Sequence, residues 1–326
     1  MAASVYPGLL DGYTRFKKLQ VLEDFQAPNL ALVPNIVYVD GGATGLADGT
    51  SWANAFTTIQ AALDSIRKDD DGDMIYDKDQ HHLVLVFPGH YDEQILTAMY
   101  NVHILGLGNP GTDYGVAINY TPGTVTSTCV YGQQGSGNTL ENVQINNDAA
   151  IPTVYIVNGD NNKIVNCVIR AADNDPTYGI LALNAEDLQI IGCEITGAGG
   201  ATGHKTAGIA INGGDMAGLV IADNRIMVQG TGAKGIYIAA SASLHGYGPN
   251  VIARNFIDAY NAGATAKGID VDHDGRVFVH DNCIVMAGSA VGIEHAGLGV
   301  MANNVSVNGT MQGDSSHSFV DDGAKG

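Results

Sequence analysis

Basic residues are scarce in this 326-residue chain: 15 Lys and Arg stand against 34 Asp and Glu, a formal net charge of −19. That balance repels nucleic acid, anionic membranes and acidic polysaccharides, so no nucleic-acid partner is expected. No apolar run is long enough to span a bilayer, which argues against membrane insertion. Met1-Ala2-Ala3-Ser4-Val5-Tyr6-Pro7 lacks a basic region followed by an apolar one, so no signal peptide is expected and assembly is placed in a cytoplasm. The four cysteines, Cys129, Cys167, Cys193 and Cys283, show neither a CxxC pair nor a Cys/His metal spacing, and the ten histidines form no HxxxH or HExxH pair. Buried free thiols and no cofactor are therefore expected. Trp52 is the single tryptophan; with Tyr237, Tyr247 and Tyr260 as the other candidate platforms, the chain offers little aromatic floor for a sugar cleft.

Glycine is abundant, at 43 residues, and disfavours sustained helices. Between the glycines lies a repeat. Seven segments align, from Leu140-Glu141-Asn142-Val143-Gln144-Ile145 to Met301-Ala302-Asn303-Asn304-Val305-Ser306; from Ile145 to Ile169, Ile195, Ile226, Ile257 and Ile284 the steps are 24, 26, 31, 31 and 27 residues. Such a period indicates a solenoid. A second strand recurs half a period later, as Gly208-Ile209-Ala210-Ile211, Gly235-Ile236-Tyr237-Ile238 and Gly268-Ile269-Asp270-Val271. Short β-branched strands in place of paired amphipathic helices specify a parallel β-helix, in which equivalent residues of successive coils stack. The closing isoleucines should then form an internal ladder, with Cys167 and Cys193 adjacent inside it. Alternation puts Ile236 and Ile238 inward and Ala210, Tyr237 and Asp270 outward. Asn142, Asn166, Asn224, Asn255, Asn282 and Asn304 recur at one bend with Gly192 in the third coil, but Asn166 lies three residues before its isoleucine and Asn224 two, which suggests a one-residue register shift.

The repeat occupies residues 35–310. Residues 1–34 stand outside it and read as a docking arm, with Tyr13, Phe16, Leu19, Leu22 and Phe25 as its contact residues; residues 311–326 read as a polar tail. A helix with Ile59, Leu63 and Ile66 on one face, opened by a capping box of Thr57 and Gln60, should cover the first coil.

Tyr38-Val39-Asp40-Gly41-Gly42, followed by Asp48-Gly49-Thr50-Ser51-Trp52-Ala53-Asn54-Ala55-Phe56 and the helix, resembles the N-terminal signature of the pectin-lyase-like right-handed parallel β-helix superfamily. Leu83-Val84-Leu85-Val86-Phe87-Pro88-Gly89-His90-Tyr91 resembles the coil that usually follows. The resemblance implies an all-β, right-handed parallel β-helix over residues 36 to about 310. For activity it implies little, because the superfamily includes lyases, glycoside hydrolases, epimerases, phage tailspikes and non-enzymatic proteins.

No catalytic residue is favoured. The alternative rests on the outward acids Asp270, Asp272 and Glu294, with Tyr237 above them and Asp274 at the bend, since paired carboxylates serve glycoside hydrolysis. Polygalacturonase motifs are absent, and Asp272-His273, which echoes a pectate lyase pair, has only Asp270, Asp274 and a lone Arg276 as neighbours, with no counterpart of the basic residues such lyases use. His295 should point inward. Asp223, Arg254 and Asp281 should form a surface ion ladder. Asp69, Asp71 and Asp73 alternate around Gly72 as in part of a calcium loop, so Ca²⁺ is the one ion considered. These features suggest a structural virion protein, a phage capsid decoration, fibre or tailspike-like spike, joined to capsid or tail proteins through residues 1–34. The resemblance to phage spikes implies a homotrimer. A depolymerase acting on a host glycan is the alternative.

Overall fold

The computed structural model describes residues 35–66, 81–97, 99–120, 130–133, 135–147, 151–171, 178–197, 206–215, 217–229, 231–243, 250–259, 265–272, 276–286, 290–296 and 299–313. The arm of residues 1–34, the acidic run at Asp69, Asp71 and Asp73, and the tail from Asp314 lie outside the described residues, as do Tyr247, Tyr260, His273 and Asp274.

Among the described residues, three long parallel sheets build a solenoid. The first has ten strands, from Asn35–Val39 to Val300–Ala302; the second has nine, from Gly89–Asp92 to Val305–Val307; the third has nine, from Ile95–Thr97 to Thr310–Gly313. After the opening strand Asn35–Val39, which is followed by the helix, each coil contributes one strand to each sheet in turn. The last strand pairs with Val291–His295, so the repeat continues three residues beyond the expected boundary at Thr310.

The expected ladder forms in register. Ile145, Ile169, Ile195, Ile226, Ile257 and Ile284 are successive Cα partners in the second sheet, and all are buried. Their side chains explain the glycine at the second position of the third-sheet strands Ala207–Ile211, Lys234–Ile238 and Lys267–Val271: a Cβ on Gly235 would meet Ile257 Cγ2 and the Gly268 carbonyl, and Gly208 and Gly268 face Ile226 and Ile284 in the same way. The repeated Gly-Ile pair is thus a steric requirement of a narrow lumen.

From the coil of Leu140 onward, each turn from the first sheet to the second is made at one left-handed residue: Asn142, Asn166, Gly192, Asp223, Arg254, Asp281 and Asn303. The next residue points inward, and this column reads Val143, Cys167, Cys193, Asn224, Asn255, Asn282 and Asn304. The expected register shift is therefore absent. Two adjacent columns are present, and asparagine moves from one to the other after the third coil. In the outer column it tolerates positive φ. In the inner column it satisfies buried backbone: Asn255 Oδ1 accepts from Asn224 N at 3.1 Å, and Asn255 Nδ2 donates to the Ile221 carbonyl at 3.0 Å. The pattern repeats for Asn224 and Asn282, while Cys167 and Cys193 donate at 3.5 Å to the equivalent carbonyls of Leu140 and Ile164. Both thiols are free and buried, as expected, and burial pushes Cys167 well up.

The helix spans Ile59–Ile66 and buries Ile59, Ala62 and Leu63 over the first coils. The expected capping box does not form. Thr58 Oγ1 accepts from Ala61 N at 3.2 Å, and the Glu93 carboxylate accepts from Ile59 N and Gln60 N at 2.8 and 2.7 Å, leaving Gln60 to donate to Asp64. A carboxylate from another coil sits where the helix presents unpaired N–H groups.

Candidate functional site

Tyr237, Asp270 and Glu294 are consecutive Cα partners in the third sheet, as the repeat requires. Their surroundings differ from expectation. Asp270 was expected on the solvent face, but it is only 2% exposed, because Lys234 and Lys267 fold over it with Nζ at 2.6 and 2.9 Å from its oxygens. Parity placed the residue on the outer wall correctly; neighbouring long side chains then removed it from water. Lys267 also reaches Glu294 at 3.1 Å, so the two carboxylates lie within about 6 Å of each other across one ammonium.

Lys234 sits over the Tyr237 ring, 3.3 Å from its centroid. Burial, then the charges of Asp272 and Asp270, raise the Tyr237 phenol above its ordinary value. Burial opposes the charge on Lys267, yet its hydrogen bonds to Asp270 and Glu294 outweigh that and hold its ammonium above the usual lysine value. A lysine acting as general base needs the opposite shift. Asp272 is exposed beside Tyr237 at the strand end.

The arrangement is a charge-balanced clasp of two lysines and two carboxylates on a tyrosine. Sequence reasoning missed both lysines. Their signal was the residue before each glycine, in Ala233-Lys234-Gly235-Ile236 and Ala266-Lys267-Gly268-Ile269, which repeats on successive coils.

Elsewhere the expected features fall as follows. His295 points inward, with Nε2 3.3 Å from the Val277 carbonyl. The ion ladder forms in part: Arg254 donates Nε and Nη2 to Asp223 at 2.8 and 2.7 Å, while Asp281 pairs with His280 at 2.7 Å. The hydrogen bond from Arg254 holds the Asp223 carboxyl below its ordinary range, and that from His280 does the same for Asp281. Among the described residues no three His, Cys, Asp or Glu side chains converge as a metal site, and no helix is long and apolar enough to cross a membrane.

No protein-family model and no curated protein matches the chain. Solved structures do. A pectin methylesterase bound to a hexasaccharide is 12% identical, with 85% of this chain and 90% of that chain covered at a TM-score of 0.50. The fold is a right-handed parallel β-helix. Other β-helices are similar at lower scores. A pectate lyase is 16% identical over 85% of this chain and 78% of that one at a TM-score of 0.47. PfbA, a surface adhesin of Streptococcus pneumoniae, is 14% identical over 89% and 96% at 0.35. A likeness at this identity shows the fold and selects no role.

Proposed function

We propose that this chain is a non-hydrolytic β-helical rod, a structural component of a virion of the decoration, fibre or spike kind. In this reading residues 1–34 join capsid or tail proteins and the solenoid projects outward. One observation supports the non-hydrolytic part above others: Asp270, the acid central to any hydrolytic reading, is buried between two ammonium groups, and Glu294 shares one of them. A general acid must present a proton to the glycosidic oxygen, and a nucleophile must reach the anomeric carbon; a carboxylate clamped on both sides does neither. The virion part draws on the sequence: a non-repeating leader with an apolar face at Phe16, Leu19 and Leu22, and an acidic body that keeps crowded copies apart.

The test has two arms on the full chain. Purified protein incubated with neutral and acidic polysaccharides should release neither reducing ends nor unsaturated uronides. Turnover that disappears in Asp272→Asn or Glu294→Gln would overturn the non-hydrolytic reading. Phe16→Asp with Leu19→Asp should abolish co-sedimentation with virus particles while leaving the circular dichroism of the β-helix unchanged. Particles that retain the variant would overturn the anchoring role.

A further inference from the structure

The clasp on the third sheet holds two amines against a carboxylate that is almost out of reach of water. Lys234 Nζ lies 2.6 Å from Asp270 Oδ2 and Lys267 Nζ 2.9 Å from Oδ1. Lys234 comes from the preceding coil: its Cα partner is Lys267, and Tyr237, three residues on, is the partner of Asp270. The amine is thus flanked by the Tyr237 ring on the one hand and the carboxylate on the other. One carbon–oxygen bond further on, Asp270 Cγ lies within about 4 Å of Lys234 Nζ, near the separation from which an amine attacks.

Ions are a costly resting state for such a site. A pair held out of water keeps a desolvation penalty that a neutral, hydrogen-bonded amide avoids. The two lysines differ in their fitness to react. Lys267 is shared between Asp270 and Glu294; burial opposes its charge, yet those hydrogen bonds outweigh that and hold its ammonium above the usual lysine value. Lys234 has Asp270 as its one carboxylate partner among the described residues.

We propose that Lys234 and Asp270 condense into an intramolecular amide that joins two successive coils. The ionic clasp is the state in which the chain folds, and the bond forms afterwards. Lys234 passes a proton to Asp270, and the freed amine lone pair attacks Cγ. The Nζ–Cγ bond forms and one Cγ–O bond breaks. The departing oxygen leaves as water with two of the three ammonium protons, and the third stays on the amide nitrogen. The step needs no oxidant, reductant or activating group. Lys267 donates to Oδ1, which stabilises the negative charge that develops there during attack. Charge balances as well, because condensation removes one cation and one anion and leaves Lys267 and Glu294 as a matched pair at 3.1 Å. In a solenoid whose coils contact only their neighbours, such a bond blocks the peeling of one coil from the next. The inference is independent of the virion reading.

Mass spectrometry of the full chain, incubated after folding and then denatured and digested with trypsin, tests this. Trypsin does not cut after an acylated lysine, so residues 226–254 should appear joined to residues 268–276, lighter than the two peptides together by one water, about 18 Da. Free 268–276 should fall by about tenfold or more. Lys234→Arg keeps a cation beside Asp270 without a comparable nucleophile, so its peptides should stay separate while circular dichroism is unchanged. Wild-type peptides that remain separate overturn the proposal. So does a loss of water confined to one peptide, as from a succinimide at Asp274-Gly275, or a branch carried by Lys267.

Discussion

Replacing Asn255 by alanine tests the inner asparagine column most directly. In the folded chain Asn255 Oδ1 accepts from the Asn224 amide at 3.1 Å and from Asn224 Nδ2 at 2.9 Å, while Asn255 Nδ2 donates to the Ile221 carbonyl at 3.0 Å and to Asn282 Oδ1 at 2.9 Å. All of these groups are buried in the lumen, where the side chain is 1% exposed. Alanine leaves the Asn224 N–H without a partner, while the Ile221 carbonyl keeps its place in the strand ladder; at about 1 to 3 kcal/mol for a buried orphan, the variant should lose about 1 to 3 kcal/mol. Because coils contact only their neighbours, the loss should be local first. Hydrogen exchange should accelerate in strands Asn250–Ala253 and Phe256–Ala259 before it does in the first coils. Urea unfolding gives the magnitude and exchange gives the location. A change below about 0.5 kcal/mol would mean that the column fills space without satisfying the backbone, and the reasoning would fail.

Three further outcomes follow from the same structure. Gly235→Ala should destabilise by about 1 to 3 kcal/mol in urea titration, because its Cβ meets Ile257 and the Gly268 carbonyl; an unchanged midpoint would show that the lumen can widen. Lys234→Met with Lys267→Met removes both cations from Asp270 and should cost about 3 to 5 kcal/mol, most of it recovered by adding Asp270→Asn; no recovery would refute the clasp. The Tyr91 hydroxyl donates to the Phe87 carbonyl at 2.8 Å, and burial pushes its pKa up to about 12, so the folded chain holds a proton that the unfolded chain releases near 10. The stability this contributes is complete below pH 10 and disappears as pH rises through about 12. Tyr91→Phe should therefore flatten alkaline unfolding and cost about 1 to 2 kcal/mol at neutral pH; an unaltered alkaline limb argues against the assignment.

The isoleucine spacing, the glycine-led strands and the paired cysteines made the parallel β-helix legible without coordinates, because stacking at one strand spacing forces like residues to recur. The acidic column was legible too: Tyr237, Asp270 and Glu294 do pair. Its chemistry was not, because Lys234 and Lys267 precede the glycines with which each strand was taken to begin. The asparagines misled for a related reason. One residue type serves a left-handed bend at Asn142 and Asn166 and a buried hydrogen-bond column at Asn224 and Asn255, and spacing alone read these as a shifted register.

Composition and period by themselves determined the class of fold, the inward ladder and the absence of familiar catalytic motifs, since each depends only on which residues recur and how often. Tertiary structure decided that Glu93 caps the helix and that Asp270 is clasped out of solvent. These depend on which long side chains from adjacent coils lie within reach of one another, and parity along a single strand carries no record of that.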